Sequence, residues 1–217
     1  LILAAPALTT NAESSLQKEL NKELVKQLKK NYKKKKKELE KDRWKIYGSS
    51  KTLEVALLEH YTKLYNDGEV AEEIIGTADN FKSNNVGRRQ AVTNAQVAYA
   101  QRAGAQVKAR IVEDIAANSA DINAEFEHFY AAYEAQVQKE IGAELQESFT
   151  IVRPHTKSKK CNTYDMQVFF IISEDAATRA RVRAYENALK ESEAAQRYAD
   201  RVSQFIQEGI SPSAPQN

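Results

Sequence analysis

Small apolar residues recur at helical spacing over residues 90–117. One stripe, in steps of four and three residues that only Arg102 interrupts, consists of Ala91, Ala95, Ala98, Ala105, Ala109, Val112 and Ala116. A second stripe beside it consists of Ala100, Gly104, Val107, Ile111 and Ile115. Together the stripes predict one long helix with a broad, shallow apolar face. Because small side chains allow close approach, we expect this face to pack on a sheet, and a coiled-coil seam is the alternative.

The hydrophobic pattern changes to a period of two over residues 148–153 and 164–172. One side of the second segment, the clearest strand, consists of Tyr164, Met166, Val168, Phe170 and Ile172. Because only the loop 154–163 separates the two segments, they predict an antiparallel hairpin. A third strand is expected at residues 73–78, where Gly76 indicates a bulge or a close backbone approach.

Helical spacing also covers residues 53–65, 122–145 and 173–207. The turn Asn66-Asp67-Gly68 predicts the end of the first helix, Asn118 and Ser119 a break before the second, and Ser173 an N-cap for the last. We therefore expect an α+β domain with a small, mainly antiparallel, three-stranded sheet in the order β-α-α-β-β-α. Its long helices should pack on one face of the sheet, and a basic N-terminal helix should precede it.

The N-terminal segment differs from the rest in charge. Residues 13–45 hold 13 Lys/Arg against 6 Asp/Glu, whereas the whole chain has a net charge of only +2. Leucines four residues apart predict a helix with a narrow apolar stripe, and the unbroken basic run within it consists of Lys33, Lys34, Lys35, Lys36 and Lys37. Two interpretations are open. The helix is either a solvated spacer or a polyanion-binding arm for lipid headgroups or envelope polysaccharide.

The first twelve residues read LILAAPALTTNA and are followed by charge from Glu13. This is typical of the apolar region and small-residue exit of a secretory signal peptide. We therefore expect an exported protein, in the periplasm or at the outer membrane, with no nucleic-acid partner. The predicted division is a signal remnant (1–12), a basic helical arm (13–47), an α+β domain (48–209) and a disordered tail (210–217).

Composition limits the class of protein further. Hydrophobic residues make up 42% and charged residues 29% of the chain, which is typical of a soluble globular domain. No apolar run approaches the roughly 20 residues of a membrane-spanning helix. The single cysteine, Cys161, excludes an intrachain disulfide.

Catalytic signatures are missing from the sequence, which has no GxGxxG, P-loop, GxSxG or HExxH motif. His60 and His128 lie on predicted helices and are expected at the surface or its boundary. His155 and Cys161 share a lysine-rich loop, but two ligands fall short of the three or four that zinc takes, so neither a metal nor a cofactor is expected. Lys159 and Lys160 are expected to lower the pKa of Cys161.

Arg102 is the polar exception on the long helix, and it can either pair with a carboxylate at the sheet edge or line a ligand cleft. We expect a non-enzymatic protein. The alternatives are an enzyme without a local motif, with a site assembled around Arg102, His155 and Cys161, and a component that self-assembles through helix faces.

Several features recur together: a lysine-rich helix ending in Trp44, a helix over residues 48–64, and Ile74-Ile75-Gly76-Thr77-Ala78 followed by Gln90-Ala91 and the alanine-spaced helix. With the hairpin and terminal helix, residues 28–207 resemble uncharacterised envelope lipoproteins of Bacteroidetes-type bacteria. More distantly, they resemble the small outer-membrane lipoprotein superfamily. The resemblance implies an envelope location and a structural or binding role, without catalytic residues. From the signal segment and the charge asymmetry we expect an envelope protein or an anionic cell-surface polymer as the partner, with peripheral membrane contact. Such lipoproteins carry a cysteine directly after the signal peptide, where this chain has Ala12-Glu13. We therefore expect a soluble periplasmic or secreted form at least as much as a lipid-anchored form.

Overall fold

The computed structural model describes the backbone of residues 9–65, 71–116 and 120–208, and the side chains of these residues except 9–17 and 120. The helices are α1 (Thr9–Lys41), α2 (Leu53–Tyr65), α3 (Asn84–Asp114), α4 (Ala120–Glu125), α5 (Glu127–Ile141), α6 (Glu174–Ala188), α7 (Glu193–Arg197) and α8 (Ala199–Gln207). The strands are β1 (Lys45–Tyr47), β2 (Ala71–Phe81), β3 (Gln146–Pro154) and β4 (Tyr164–Ser173). Residues 1–8 of the predicted signal segment, the turn at 66–68, the break at 118–119 and the tail 210–217 lie outside the described residues.

The sheet has four strands in the order β1-β3-β4-β2, and every neighbouring pair is antiparallel. The α+β class and the antiparallel hairpin are confirmed, but the prediction of three strands is wrong. The additional strand is β1, which pairs with residues 150–152 of β3. Three residues are too short to display a period of two, and β1 follows directly on the charged helix, so the pattern contained no signal for it.

Both faces of the sheet are covered, which corrects the expectation of helices on one face. The predicted side of β4 packs in the larger core with α3, α5 and α6, and its buried members are Met166, Val168, Phe170 and Ile172. On the opposite face, Phe169 packs with Leu57 of α2 and Leu39 of α1 in a second, smaller core. The hydrophobic residues on both sides of β4 are therefore explained by two helical layers.

Helix α3 packs on the sheet, as expected, but only part of the predicted face is buried. Ala91, Ala95, Ala100, Gly104, Val107 and Ile111 are buried, whereas Ala98, Ala105, Ala109 and Val112 are exposed. The buried residues instead follow steps of four, and this row includes Tyr99 and Ala103. The predicted stripes consist of small residues at alternating steps of four and three, so they do not include these two positions. Gly76 fulfils its expected role, because a Cβ there would overlap the carbonyl oxygen of Ala91 on α3.

Two helices that the pattern predicts as continuous are broken. The segment 122–145 is divided at Phe126 into α4 and α5, and the segment 173–207 into α6, a 3-10 turn, α7 and α8. Ser173 caps α6 as predicted, accepting from the Ala176 amide at 3.3 Å. Ser192 caps α7 in the same way, accepting from the Ala195 amide at 3.2 Å. A serine inside a helical pattern can therefore begin a new helix.

Candidate functional site: the lysine face of the first helix

Helix α1 is anchored to the body by its C-terminal end. Its 33 residues span about 50 Å. Asn31 Nδ2 donates to Tyr65 Oη on α2 at 2.9 Å, and Lys36 Nζ lies 2.8 Å from Glu54 Oε2. Nearer the N-terminus, Leu20 and Val25 are 52% and 50% exposed. The described part of α1 before Asn31 therefore presents more of its surface to solvent than the part that follows.

Nine lysines lie on one side of α1, and we call this surface the lysine face. At 100° per residue they fall within a sector of about 160° on the side of the helix away from Leu39. All nine are exposed, and they are Lys18, Lys22, Lys26, Lys29, Lys30, Lys33, Lys34, Lys37 and Lys41. Glu19, Glu23 and Glu40 lie within the same sector, and Lys26 Nζ is 3.4 Å from Glu23 Oε1, so cations outnumber anions on this face without excluding them. The sequence predicted a basic run, and the helix arranges most of the arm's positive charge on one side.

The predicted five-lysine run is divided between two environments. Lys35 Nζ lies 5.6 Å from the centroid of the Phe169 ring, and Lys36 pairs with Glu54 of α2. Lys33, Lys34 and Lys37 are exposed and form no ion pair with any residue in the described ranges. These three lysines are therefore free to bind an anion, whereas the other two hold α1 to the body.

Of the two roles expected for Arg102, the structure shows the ion pair. Its guanidinium contacts the carboxylate of Glu72 on β2, an edge strand, and lies 5.4 Å from the centroid of the Tyr99 ring. Burial raises the pKa of Glu72 although Arg102 opposes this shift.

A buried arginine lies behind this pair. Arg181 is 2% exposed, donates to Tyr99 Oη at 2.9 Å and lies 2.5 Å from Glu174 Oε1. Arg181 was not predicted from the sequence. Its position could have revealed it, because Ala177 and Ala184 belong to a row of apolar residues at helical spacing and Arg181 interrupts that row. Because the donors and acceptors of this cluster satisfy one another, its arrangement is that of a structural network.

A second polar cluster lies where β3 and β4 meet the loop between them. His155 Nδ1 lies 2.5 Å from Asp165 Oδ1, and Arg153 Nε lies 3.1 Å from Asp165 Oδ2.

Hydrogen bonds from the side chain and backbone amide of Thr156 lower the pKa of Cys161 to about 6. The predicted direction of this shift is correct, but the predicted cause, the neighbouring lysines, is wrong.

Strand register separates this loop from Arg102. Asp165, the partner of His155, stands opposite Arg153, whereas Glu72, the partner of Arg102, stands opposite Ile172. These positions are seven residues apart along β4, or about 24 Å. The site proposed around Arg102, His155 and Cys161 is therefore not assembled.

His60 corrects a sequence prediction. It was expected at the surface or its boundary, but it is completely buried between α2 and the sheet. Its Nε2 lies 2.6 Å from Glu73 Oε2, and its ring meets the edges or faces of Phe149 and Phe169 at centroid distances of 5.4 and 5.8 Å. The sequence feature that could have revealed this burial is the position of His60, one helical turn after the buried residues Ala56 and Leu57.

The described residues contain small clefts. His128 is exposed as predicted, beside a cleft of about 310 Å³ that it shares with three glutamates and Arg197. A cleft of about 230 Å³ lies where β1 ends and β3 continues. No three potential metal-binding side chains come together within the described ranges. None of the helices in those ranges has the length and apolarity needed to cross a membrane.

Comparison of the chain with protein-family models, curated proteins and solved structures gave no match. The resemblance to envelope lipoproteins therefore stays a prediction, and the lysine face is the feature on which a functional proposal can be built.

Proposed function

We propose that this protein is a non-enzymatic cell-envelope protein that binds an anionic envelope component through the lysine face of α1. The observation that carries the proposal is the alignment of nine exposed lysines on one side of a helix that is fixed to a folded body at one end. The apparent signal segment and the resemblance to envelope lipoproteins support the location.

The charge distribution supports a directed contact. Residues 46–217 hold 19 Lys/Arg against 24 Asp/Glu, so the body is mildly acidic while the arm is strongly basic. An anionic surface would attract α1 and repel the body. Successive lysines lie closer together than the screening length of about 8 Å at physiological salt, so they act on a ligand collectively.

The surroundings of the body's reactive side chains support a non-enzymatic role. His60 is enclosed by aromatic rings, His155 is tied to Asp165, and Arg102 is paired with Glu72. Each of these groups has a contact that accounts for its position, and register places Arg102 far from the hairpin loop.

Fractionation and binding measurements on the native protein test the proposal. The protein should be found in the envelope or periplasm, and purified protein should bind washed envelopes of the source cells. The triple variant K33Q/K34Q/K37Q should bind them at least tenfold more weakly. A protein found only in the cytosol, or lysine-independent binding to envelopes, would contradict the proposal.

Self-assembly through α1 is a second candidate, favoured by its half-exposed apolar residues. Leu20 and Val25 are exposed, and Leu24 and Leu28 are only partly covered. Size-exclusion chromatography with light scattering would show a dimer that L20Q/L24Q dissociates. A monomer at high concentration would contradict this candidate.

A further inference from the structure

The lysine face has a regular spacing along the helix axis. Consecutive members are mostly three or four residues apart, or about 4.5 to 6 Å, and the distance from Lys18 to Lys41 is about 35 Å. We propose that the ligand of this face is a linear acidic polysaccharide that lies along α1 with its chain parallel to the helix axis. This inference rests on the proposed function, and it specifies the chemical class of the anionic component.

The spacing matches a polymer with one negative charge per sugar. A pyranose unit advances an extended chain by a distance comparable to one lysine step, so successive carboxylates or sulfates can each meet an ammonium group. Lysine is a compact charge on a flexible stem, which tolerates a small mismatch of period. Binding such a chain would also relieve the mutual repulsion of the lysines and release counterions from the polymer.

The apolar side of α1 argues against a membrane as the ligand. Leu24 lies about 180° around the helix from Lys33, and Leu20 and Leu28 flank it. A helix that binds at a bilayer surface inserts its apolar face into the lipid. On α1 this side is turned toward the body, because Leu39 is buried in the smaller core and Asn31 donates to Tyr65 of α2. The part of α1 beside the body therefore cannot insert into a bilayer, which favours a ligand that contacts charge alone.

The composition of the lysine face argues against nucleic acid. It contains no arginine and no aromatic residue, and Tyr32 stands outside its sector, where its hydroxyl donates to Glu54. Proteins that bind single-stranded nucleic acid commonly stack bases on aromatic side chains. Arginine is preferred where phosphate is bound by two parallel hydrogen bonds. A face whose cations are all lysines fits anions that need neither stacking nor a planar fork.

Binding of galacturonate oligomers to the full chain tests this assignment. The probes are linear chains with one carboxylate per sugar, in a length series from the dimer to the dodecamer. Affinity should rise steeply with length until the oligomer spans the lysine face, and then only slightly. The logarithm of the binding constant should also fall linearly with the logarithm of salt concentration, as expected for counterion release.

Two triple variants with equal change in net charge locate the site. K33Q/K34Q/K37Q should weaken binding of the dodecamer on the order of 100-fold at low salt, because each lysine near an anionic partner contributes about a factor of five. K157Q/K159Q/K160Q removes three exposed lysines from the hairpin loop and should change affinity less than threefold. Equal effects of the two variants would overturn the assignment.

A kink tests whether the ligand follows the helix axis. Lys29 is exposed and comes before Asn31, which is the first described residue of α1 that forms a hydrogen bond with α2. K29P should therefore bend α1 without unfolding the body. Compared with K29Q, K29P should lose a further tenfold or more for the dodecamer and little for the trimer. Circular dichroism and cooperative urea unfolding verify that the body is folded. Equal affinity of K29P and K29Q for the dodecamer would overturn alignment along the helix.

Binding to lipid vesicles and to isolated envelopes distinguishes a failure of the polysaccharide assignment from a failure of the proposed function. If galacturonate oligomers fail to bind while envelopes bind through the lysines, the polysaccharide assignment is wrong and the proposed function stands. Stronger binding to phosphatidylglycerol vesicles than to the dodecamer, lost in L20Q/L24Q, would replace the polysaccharide with a lipid surface. If neither envelopes nor oligomers bind, both statements fail.

Discussion

His60 Nε2 lies 2.6 Å from Glu73 Oε2, and the imidazole ring is completely buried while the carboxylate is 29% exposed. The pair joins α2 to β2, and it lies beside the stacked rings of Phe149 and Phe169. The other ring nitrogen, Nδ1, is buried and has no hydrogen-bond partner among the residues that the structure describes. This histidine therefore acts as a core residue that is polar on one side only.

Replacing this ring should destabilise the fold according to the volume removed. His60→Ala leaves a cavity and should lower the free energy of unfolding by about 3 kcal/mol. His60→Phe keeps most of the volume, removes the unpartnered Nδ1 and leaves Glu73 access to water, so its cost should be about half as large. Urea denaturation measures both, and H128A, at an exposed position, should change stability by less than about 0.5 kcal/mol. A stability of H60A equal to that of H128A would show that the ring is not part of the core.

Gly76→Ala should destabilise the contact between β2 and α3. Its Cβ would overlap the backbone of Ala91, which cannot rotate away, so the helix must shift at a cost of about 1 to 3 kcal/mol. Gly104→Ala is the matched control, because its Cβ would meet Glu134 Oε2 at 3.2 Å, at the flexible end of a side chain. The control should be neutral or gain up to about 1 kcal/mol in helix propensity. Equal unfolding midpoints for the two variants would contradict the close approach at Gly76.

Arg181→Ala should be among the most damaging single substitutions. It leaves a cavity and deprives the buried hydroxyl of Tyr99 of its donor, so the free energy of unfolding should fall by about 3 kcal/mol. Glu174 contributes little to this loss, because its carboxylate is 41% exposed and keeps the hydrogen bond from the Thr178 hydroxyl. Arg179→Ala removes an exposed arginine that pairs with Glu144 at 3.0 Å and should cost less than about 1 kcal/mol. Thermal and urea unfolding of both variants give the comparison, which a similar loss in R179A would overturn.

Asp165 should make stability depend on pH in the acid range. Burial raises the pKa of this carboxyl, but hydrogen bonds from His155, the Asn80 amide and Arg153 outweigh burial and hold the folded-state pKa below its ordinary value. Its stabilising contribution is therefore complete above the unfolded pKa of about 3.9 and is lost as the pH falls through the folded value. The free energy of unfolding, measured from pH 7 down to pH 2.5, should decline less steeply in D165N than in the wild type. Parallel declines would exclude Asp165 as a source.

Cys161 should react as a thiolate at neutral pH. The rate of alkylation by iodoacetamide should rise with a midpoint near pH 6, because hydrogen bonds from Thr156 lower the pKa of the thiol to about 6. Thr156→Val removes the hydroxyl and should move the midpoint toward the value of a free thiol, about 8.5. K159Q/K160Q should leave the midpoint in place, and a shift in that variant instead would return the cause to the lysines.

Sequence patterns predicted the elements with a strong period better than the contacts between them. The hairpin of β3 and β4 was predicted because apolar residues alternate along it. The buried row of α3 was predicted only in part, since Tyr99 carries a hydroxyl that needs Arg181 from a distant helix. Nothing near residue 99 in sequence announces that donor.

The burial of His60 was missed for a related reason. Its partners Glu73, Phe149 and Phe169 come from three different strands, and only the completed sheet brings them together. The lysine run was visible in the sequence, but its division into free and paired members depends on where α2 crosses α1. Local periodicity thus indicates elements, while tertiary partners decide which polar residues are buried.

The end of α1 is continuous with the sheet. Trp44 is 7% exposed, the guanidinium of Arg153 lies 4.5 Å from the centroid of its ring, and β1 follows at once in register with β3. The body therefore cannot swivel freely on its arm as it would on a glycine-rich linker. Folding has already fixed the orientation of the body relative to α1. Protein molecules bound side by side along one polymer would therefore all turn the same side of the sheet outward.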